Sequence, residues 1–202
     1  MDATTWNGLG LWVDLVRVPP SGTWERRRAD LFALAEDWLG PWEPDEGRGL
    51  DHLVRRYLGA FGPASLRDLA SWSGLPPAAF ERTVEAMRLR RFSDERGEEL
   101  LDLPRAPLPP AGTRAPVRLI GTWDAILLAH ARRAQILPAR DRGRVFDAKT
   151  PHSFPTFLVD GRVAGTWSEE GGRVRLQPFE PLARSVRREL ATEAERLEAF
   201  LA

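Results

Sequence analysis

Cysteine is absent from the 202 residues. That excludes disulfides, thiolate chemistry and every zinc site built on sulfur, and it fits a reducing compartment. Lysine is nearly absent, Lys149 being the only one. The positive charge is therefore carried by arginine, whose planar fork suits phosphate and whose abundance is also what a GC-rich genome produces. Net charge is missing as well: 29 basic residues cancel 29 acidic ones. No global field points to nucleic acid or a membrane, so an electrostatic partner must be read from local clusters. The longest apolar run, around residues 125–129, is far too short to span a bilayer. The opening residues lack a basic leader and carry Asp14 within their apolar part, unlike a signal peptide. The expectation is a cytoplasmic protein with no membrane partner. Histidine is confined to His52, His130 and His152, with no short ligand spacing between any two, so neither a metal nor a cofactor is expected. Glycine-rich phosphate loops, nucleophile elbows and paired-histidine motifs are missing too.

What is present is the composition of a folded chain, 43% hydrophobic and 29% charged. Residues 11–18 read as a strand ending at Pro19-Pro20-Ser21-Gly22, and Trp24 to Leu39 as a helix with Leu31, Leu34, Ala35 and Trp38 on one face. This opening looks like the tail of a preceding unit. A helix from Leu50 to Phe61 turns Leu53, Val54, Tyr57, Leu58 and Phe61 inward. Ser65 and Asp68 form a capping box for the next helix, which stops at Ser73-Gly74. Pro76-Pro77 opens a further helix running to about Leu89, and "RLRRFSDERGEELLDL" makes a hairpin. Helix, short helix, turn, helix and hairpin spell a winged helix-turn-helix.

A proline-rich linker, "RAPLPPAGTRAP", precedes a different unit. Val117 to Ile120 reads as a strand and Trp123 to Arg133 as a helix. Asp160-Gly161 and Gly171-Gly172 turn between strands, and Pro181 starts a closing helix with Leu182, Val186, Leu190, Leu197 and Leu201 on one face. The expected fold is α+β. It comprises a remnant of a preceding winged-helix unit plus helix (1–48), a winged helix-turn-helix (49–104), the linker (105–116) and a β-rich, barrel-like domain with a C-terminal helix (117–202).

The densest positive segment, "ARRAQILPARDRGRVFDAK", holds Arg132, Arg133, Arg140, Arg142, Arg144 and Lys149 against Asp141 and Asp147. Such arginines can track a phosphate backbone, or can be a solvated surface paired with acids. Arg88, Arg90 and Arg91 are the only basic cluster near the hairpin. Glu81 and Glu85 on the presumed recognition helix, and Asp94, Glu95, Glu98, Glu99 and Asp102 on the wing, would repel phosphates. These acids favour a scaffold role for that helix over groove reading. Asp124 is the one candidate for a general base; its alternative is a helix N-terminal charge satisfying free amides. Trp123 and Trp167 are expected in the core, with stacking on an extruded base as the alternative.

The segments "LVRVPPSGTWERRRADLFALAEDWLG", "GLDHLVRRYLGAFGPASLRDLASWSGL", "LIGTWDAILLAHARR", "FPTFLVDGRVAGTWS" and "VRLQPFEPL" resemble the winged-helix DNA-binding family related to AlkZ-type DNA glycosylases. The resemblance covers almost the whole chain in the same order. It implies strung winged-helix units closed by a small β-rich domain, a concave basic face for double-stranded DNA, and, in glycosylase members, metal-free excision of bulky alkylated or crosslinked purines. Their catalytic signature is Gln-x-Gln or Gln-x-Asp in the first winged helix. Gln135 and Gln177 are the only glutamines here, and neither lies in such a motif. No catalytic residue carries over, and the family's Phe-Asp position matches Trp123-Asp124. DNA binding without independent catalysis is therefore expected. A glycosylase whose catalytic unit is upstream or degenerate, and a protein-interaction module with a protein partner, are the rival readings.

Overall fold

A computed structural model of the chain describes residues 10, 12–23, 26, 31–41, 43, 45–131, 133–147 and 153–201, Arg133 by its backbone only. The fold mixes helices with small antiparallel sheets. The chain divides into two compact units, Met1–Gly49 and Leu50–Ala202.

In the first unit, β1 (Leu15–Arg17) pairs antiparallel with β2 (Phe32–Leu34), Val16 lying opposite Ala33. β2 passes directly into α1 (Ala35–Leu39), which ends at Gly40, φ +88°. The helix expected over Trp24 to Leu39 is thus a strand at Phe32–Leu34 and a helix only beyond it; residues 24, 25 and 27–30 fall outside the described residues. Pairing with β1 decides the matter, and it is continued by the Ala35 N–H donating to the Asp14 carbonyl at 2.8 Å. The spacing of Leu31, Leu34 and Trp38 marks exposed side chains; of that face only Ala35 is buried. Short apolar spacings do not separate strand from helix.

The second unit takes in most of α2 (Glu46–Phe61), whose Val54, Tyr57 and Leu58 are buried at the expected helical spacing. α3 (Leu66–Ser73) opens on the capping box: the Ser65 hydroxyl accepts the Asp68 N–H at 3.2 Å, and the Asp68 carboxylate accepts the Ser65 N–H at 3.0 Å. Gly74, at φ +76°, ends it in the left-handed conformation that a side chain resists. α4 (Ala78–Ala86) buries Phe80 and Val84 and stops at an extended Met87, short of Leu89. The hairpin of β3 (Arg90–Ser93) and β4 (Glu99–Asp102) follows. β4 returns to the helices: Leu101 exchanges two backbone hydrogen bonds with Ala64, at 2.8 and 3.0 Å. Leu101 packs there with Val54, Tyr57, Leu69, Phe80 and Val84.

β5 (Arg118–Ile120), β6 (Thr156–Val159), β7 (Arg162–Glu170) and β8 (Arg173–Pro178) form one antiparallel sheet in that order. The β6–β7 turn has positive φ at both Asp160 and Gly161, 49° and 76°, the geometry that matches strand twist in a two-residue hairpin. Among the described residues the sheet is an open meander with β5 and β8 as edges; a barrel would close them on each other. α6 (Arg184–Leu201) packs against β5 and β8 and buries Leu190 and Ala194, while Leu201 is exposed.

The helix expected over Trp123 to Arg133 does not form. The chain makes one 3-10 turn at Ala125–Leu127 and another at Arg133–Gln135. Tertiary bonds claim the backbone groups that a helical ladder would need. The Tyr57 hydroxyl donates to the Ala129 carbonyl at 2.7 Å, and the Ala131 N–H donates to Asp68 at 2.9 Å. Ala129 consequently shares the core of α2, α3 and α4, so packing crosses the proline-rich segment.

Candidate nucleic-acid interface

Residues 137–146 carry three of the arginines expected to meet phosphate, Arg140, Arg142 and Arg144. Leu137 and Val145, 3% and 0% exposed, anchor the segment at both ends. Between them a 3-10 turn (Ala139–Asp141) leads into α5 (Arg142–Val145). Asp141 is buried, and its carboxylate lies 3.5 Å from Arg140 Nε and 3.4 Å from Arg144 Nη1. One inward anion thus steadies two outward cations. Arg140 also meets the exposed Glu180 at 2.9 Å, and the Arg144 guanidinium sits 3.9 Å over the Phe179 ring. Arg142 is exposed, lies 5.9 Å from the Phe146 ring centre and makes no ion pair with a described residue.

Phe146 links this segment to the turn after β5. Its ring is 6.4 Å from that of Trp123, and its backbone bridges to Ser153. Trp123 has φ +58°, is 46% exposed, and donates its backbone N–H to the buried Ser153 Oγ at 2.6 Å. The core position expected for Trp123 is therefore not where it sits. Trp167 is half-buried, its Nε1–H donating to the Ile120 carbonyl at 2.9 Å. Asp124 is half-buried and caps the Ala125–Leu127 turn, accepting the Ile126 N–H at 3.0 Å. That is the amide-satisfying role weighed against general-base chemistry.

The other arginines divide by what surrounds them. Arg88 is exposed with no ion pair to a described residue. Arg91 is held by Glu99 across the hairpin at 2.7 Å. The Arg90 guanidinium donates to the carbonyls of Leu103 and Ala106 at 3.1 and 2.6 Å and approaches Asp102 at 3.4 Å, which ties β3 to the chain leaving β4. Arg132 and Lys149 lie outside the described residues, as does the side chain of Arg133. Several acids expected to repel phosphate have internal work. Asp102 is buried, and Asp94 accepts the Arg96 and Glu98 N–H groups at 2.9 and 2.8 Å. Among the described residues no cluster of three or more His, Asp and Glu could hold a metal ion, and no helix is long and apolar enough to cross a membrane.

Residues 2–200 match the protein family described as DNA glycosylase AlkZ-like. The chain belongs to that family. An interstrand DNA cross-link repair glycosylase of Streptomyces sahachiroi is 24% identical over 159 residues, which is 71% of this chain and 40% of that protein. The solved structure of the Streptomyces sahachiroi DNA glycosylase AlkZ superposes with a TM-score of 0.69 at 23% identity, covering 83% of this chain and 48% of that one. The second likeness is one of fold. This AlkZ-like chain spans less than half the length of either relative.

The exposure of Trp123, and its link through Phe146 to Arg142, escaped sequence reasoning. The available signal, a Trp-Asp pair separated from the strand by Gly121 and Thr122, reads in the sequence as a helix start.

Proposed function

We propose that this chain is a DNA-binding member of the AlkZ-like glycosylase family, holding duplex DNA through Arg140, Arg142 and Arg144 without excising bases by itself. α2, α3 and α4 with the β3–β4 hairpin are read as a winged helix-turn-helix, and the four-stranded sheet with α6 as the β-rich closing domain. Arg88 adds a peripheral phosphate contact, and α4 serves as scaffold.

The observation that carries this reading is the outward array on residues 139–145. The side chains of Arg140 and Arg144 are 71% and 49% exposed, while the acid between them is turned inward. The pair between Arg140 and the exposed Glu180 is of the solvent-screened kind worth about 0–1 kcal/mol, so a phosphate displaces it at little cost. Anisotropy titration of a labelled duplex tests the reading. Affinity is expected to fall linearly in log–log form with salt, each neutralised phosphate adding roughly 0.9 to the slope. Arg140→Glu and Arg142→Glu should weaken all sequences alike. Absence of binding at low salt would discard the proposal.

Family membership favours a second reading, hydrolysis of the N-glycosidic bond of an alkylated or crosslinked purine. Incubation with damaged duplex and detection of free modified base tests it. Release that is lost in Asp124→Asn would assign that carboxylate a role beyond capping its turn.

A further inference from the structure

We infer that Trp123, Phe146 and Arg142 form a stacking station for an unpaired base of DNA, with Trp123 offering its indole face and Arg142 taking the neighbouring phosphate. The inference deepens the DNA-binding reading above and rests on it.

The backbone supplies the first argument. Trp123 sits at φ +58°, a region that bulky side chains rarely enter and that persists only where the surroundings over-determine it. Here the surroundings do so from both sides. The Trp123 N–H is held by the hydroxyl of buried Ser153 at 2.6 Å, and the next residue, Asp124, is locked by capping its turn at 3.0 Å. Among the described residues outside glycine, positive φ occurs only here and at Asp160, where a two-residue hairpin accounts for it.

That conformation also sets where the indole goes. It leaves Trp123 46% exposed beside a core of Leu127, Leu137, Val145, Leu158 and Val163 that closes without it. An indole kept out of the core by a held backbone is placed for something outside the molecule. Phe146 backs it at 6.4 Å with the rings 50° apart, so the indole is supported and not loose.

Charge identifies the occupant. Arg142 lies over the same Phe146 ring, exposed and without an ion pair among the described residues. Arg140 and Arg144 flank it in sequence. An exposed indole and a guanidinium without an ion pair among the described residues, both gathered on the Phe146 ring, are together complementary to a group that is flat and anionic, which a nucleotide is. A paired base hides its face in the stack, so the station reads a base that is unpaired.

The test uses the full chain and two labelled duplexes of equal length and sequence, one fully paired and one with a single bulged base at its centre. Wild type is expected to favour the bulged duplex by roughly tenfold, the scale of one base–aromatic stack. Trp123→Phe should keep that ratio; Trp123→Ala and Trp123→Gly should bring it to about one. Glycine suits the observed φ, so the Gly variant separates loss of stacking from loss of folding. If wild type binds both duplexes equally, or Trp123→Gly keeps the preference, the station is overturned while DNA binding stands. If wild type binds neither duplex, the DNA-binding reading falls and the station falls with it.

Discussion

The carboxylate of Asp68, fully buried on α3, accepts the backbone N–H of Ala131 at 2.9 Å, while its other oxygen takes the Ser65 N–H and hydroxyl at 3.0 and 2.8 Å. A single side chain therefore caps a helix and fixes the segment that follows the Ala125–Leu127 turn. Removing it strands buried donors, and hydrogen bonds to a charged acceptor are worth ~1.5–3 kcal/mol each, with incomplete additivity. Asp68→Ala is expected to lower stability by roughly 3 kcal/mol in urea unfolding. A loss well under ~1 kcal/mol would mean that water replaces the carboxylate and that the segment is pinned by packing alone.

Gly165 on β7 makes room for the ring of Phe157 on β6. A Cβ built there would run into that ring and lie 2.5 Å from the Gln177 carbonyl oxygen. Phe157 is fully buried, with Val117 and Leu190 as core neighbours. Gly165→Ala forces overpacking that costs typically 1–3 kcal/mol, so a drop of about 2 kcal/mol is expected in thermal unfolding. Because the backbone oxygen is also close, adding Phe157→Leu should restore only part of it.

The elements legible in the sequence are those fixed by neighbours along the chain. The Ser65–Asp68 box, the stop at Gly74, and the turns at Asp160-Gly161 and Gly171-Gly172 each depend on a few contiguous residues. Their chemistry is therefore visible in the string. What escaped was decided at a distance. Phe32–Leu34 is a strand because β1 lies beside it, and the Trp123–Arg133 helix is undone by Tyr57 and Asp68, far upstream. At the candidate interface, the clustering of Arg140, Arg142 and Arg144 was legible because five contiguous residues hold it. The commitment of Arg90 to the carbonyls of Leu103 and Ala106 was not, since a guanidinium in a sequence does not declare its acceptors.

Glu198 on α6 covers an edge of the sheet. Its Oε1 accepts the Val174 N–H of β8 at 2.8 Å, and its Oε2 meets Arg173 at 3.0 Å. The Val174 N–H first, and Arg173 after it, hold the carboxyl below its ordinary value of 4.5. A group whose pKa is lower in the folded state stabilises fully above its unfolded value, and that contribution fades as pH falls through the folded one. Wild type is therefore expected to lose stability relative to Glu198→Gln as pH drops below about 4.5, with the gap between them constant at neutral pH. Melting curves across that range check it, and a gap that does not narrow in acid contradicts the assignment.

Arg90, although part of a basic cluster, uses its fork internally, so its effects should be structural. Arg90→Lys keeps the charge and loses the geometry that spans two carbonyls and Asp102. A destabilisation of about 2 kcal/mol is expected in urea unfolding, with the salt slope of DNA binding unaltered. A slope reduced by about one unit would instead place Arg90 on a phosphate.

The backbone at Trp123 yields the sharpest stability test, since it inverts an ordinary ranking. Within helices and strands glycine is worse than alanine by roughly 0.5–1 kcal/mol, because it has more conformational freedom to lose. At φ +58° the Cβ of alanine pays a steric cost of roughly 1–2 kcal/mol that glycine avoids. Both variants lose the same contact with Phe146, so the difference between them isolates the backbone. Trp123→Gly is expected to be more stable than Trp123→Ala by about 1 kcal/mol. Breaking the restraint by Ser153→Ala should let the alanine variant relax toward negative φ and shrink that difference. If alanine outranks glycine with Ser153 intact, the turn does not hold the left-handed conformation in solution, and Trp123 is not constrained to face outward.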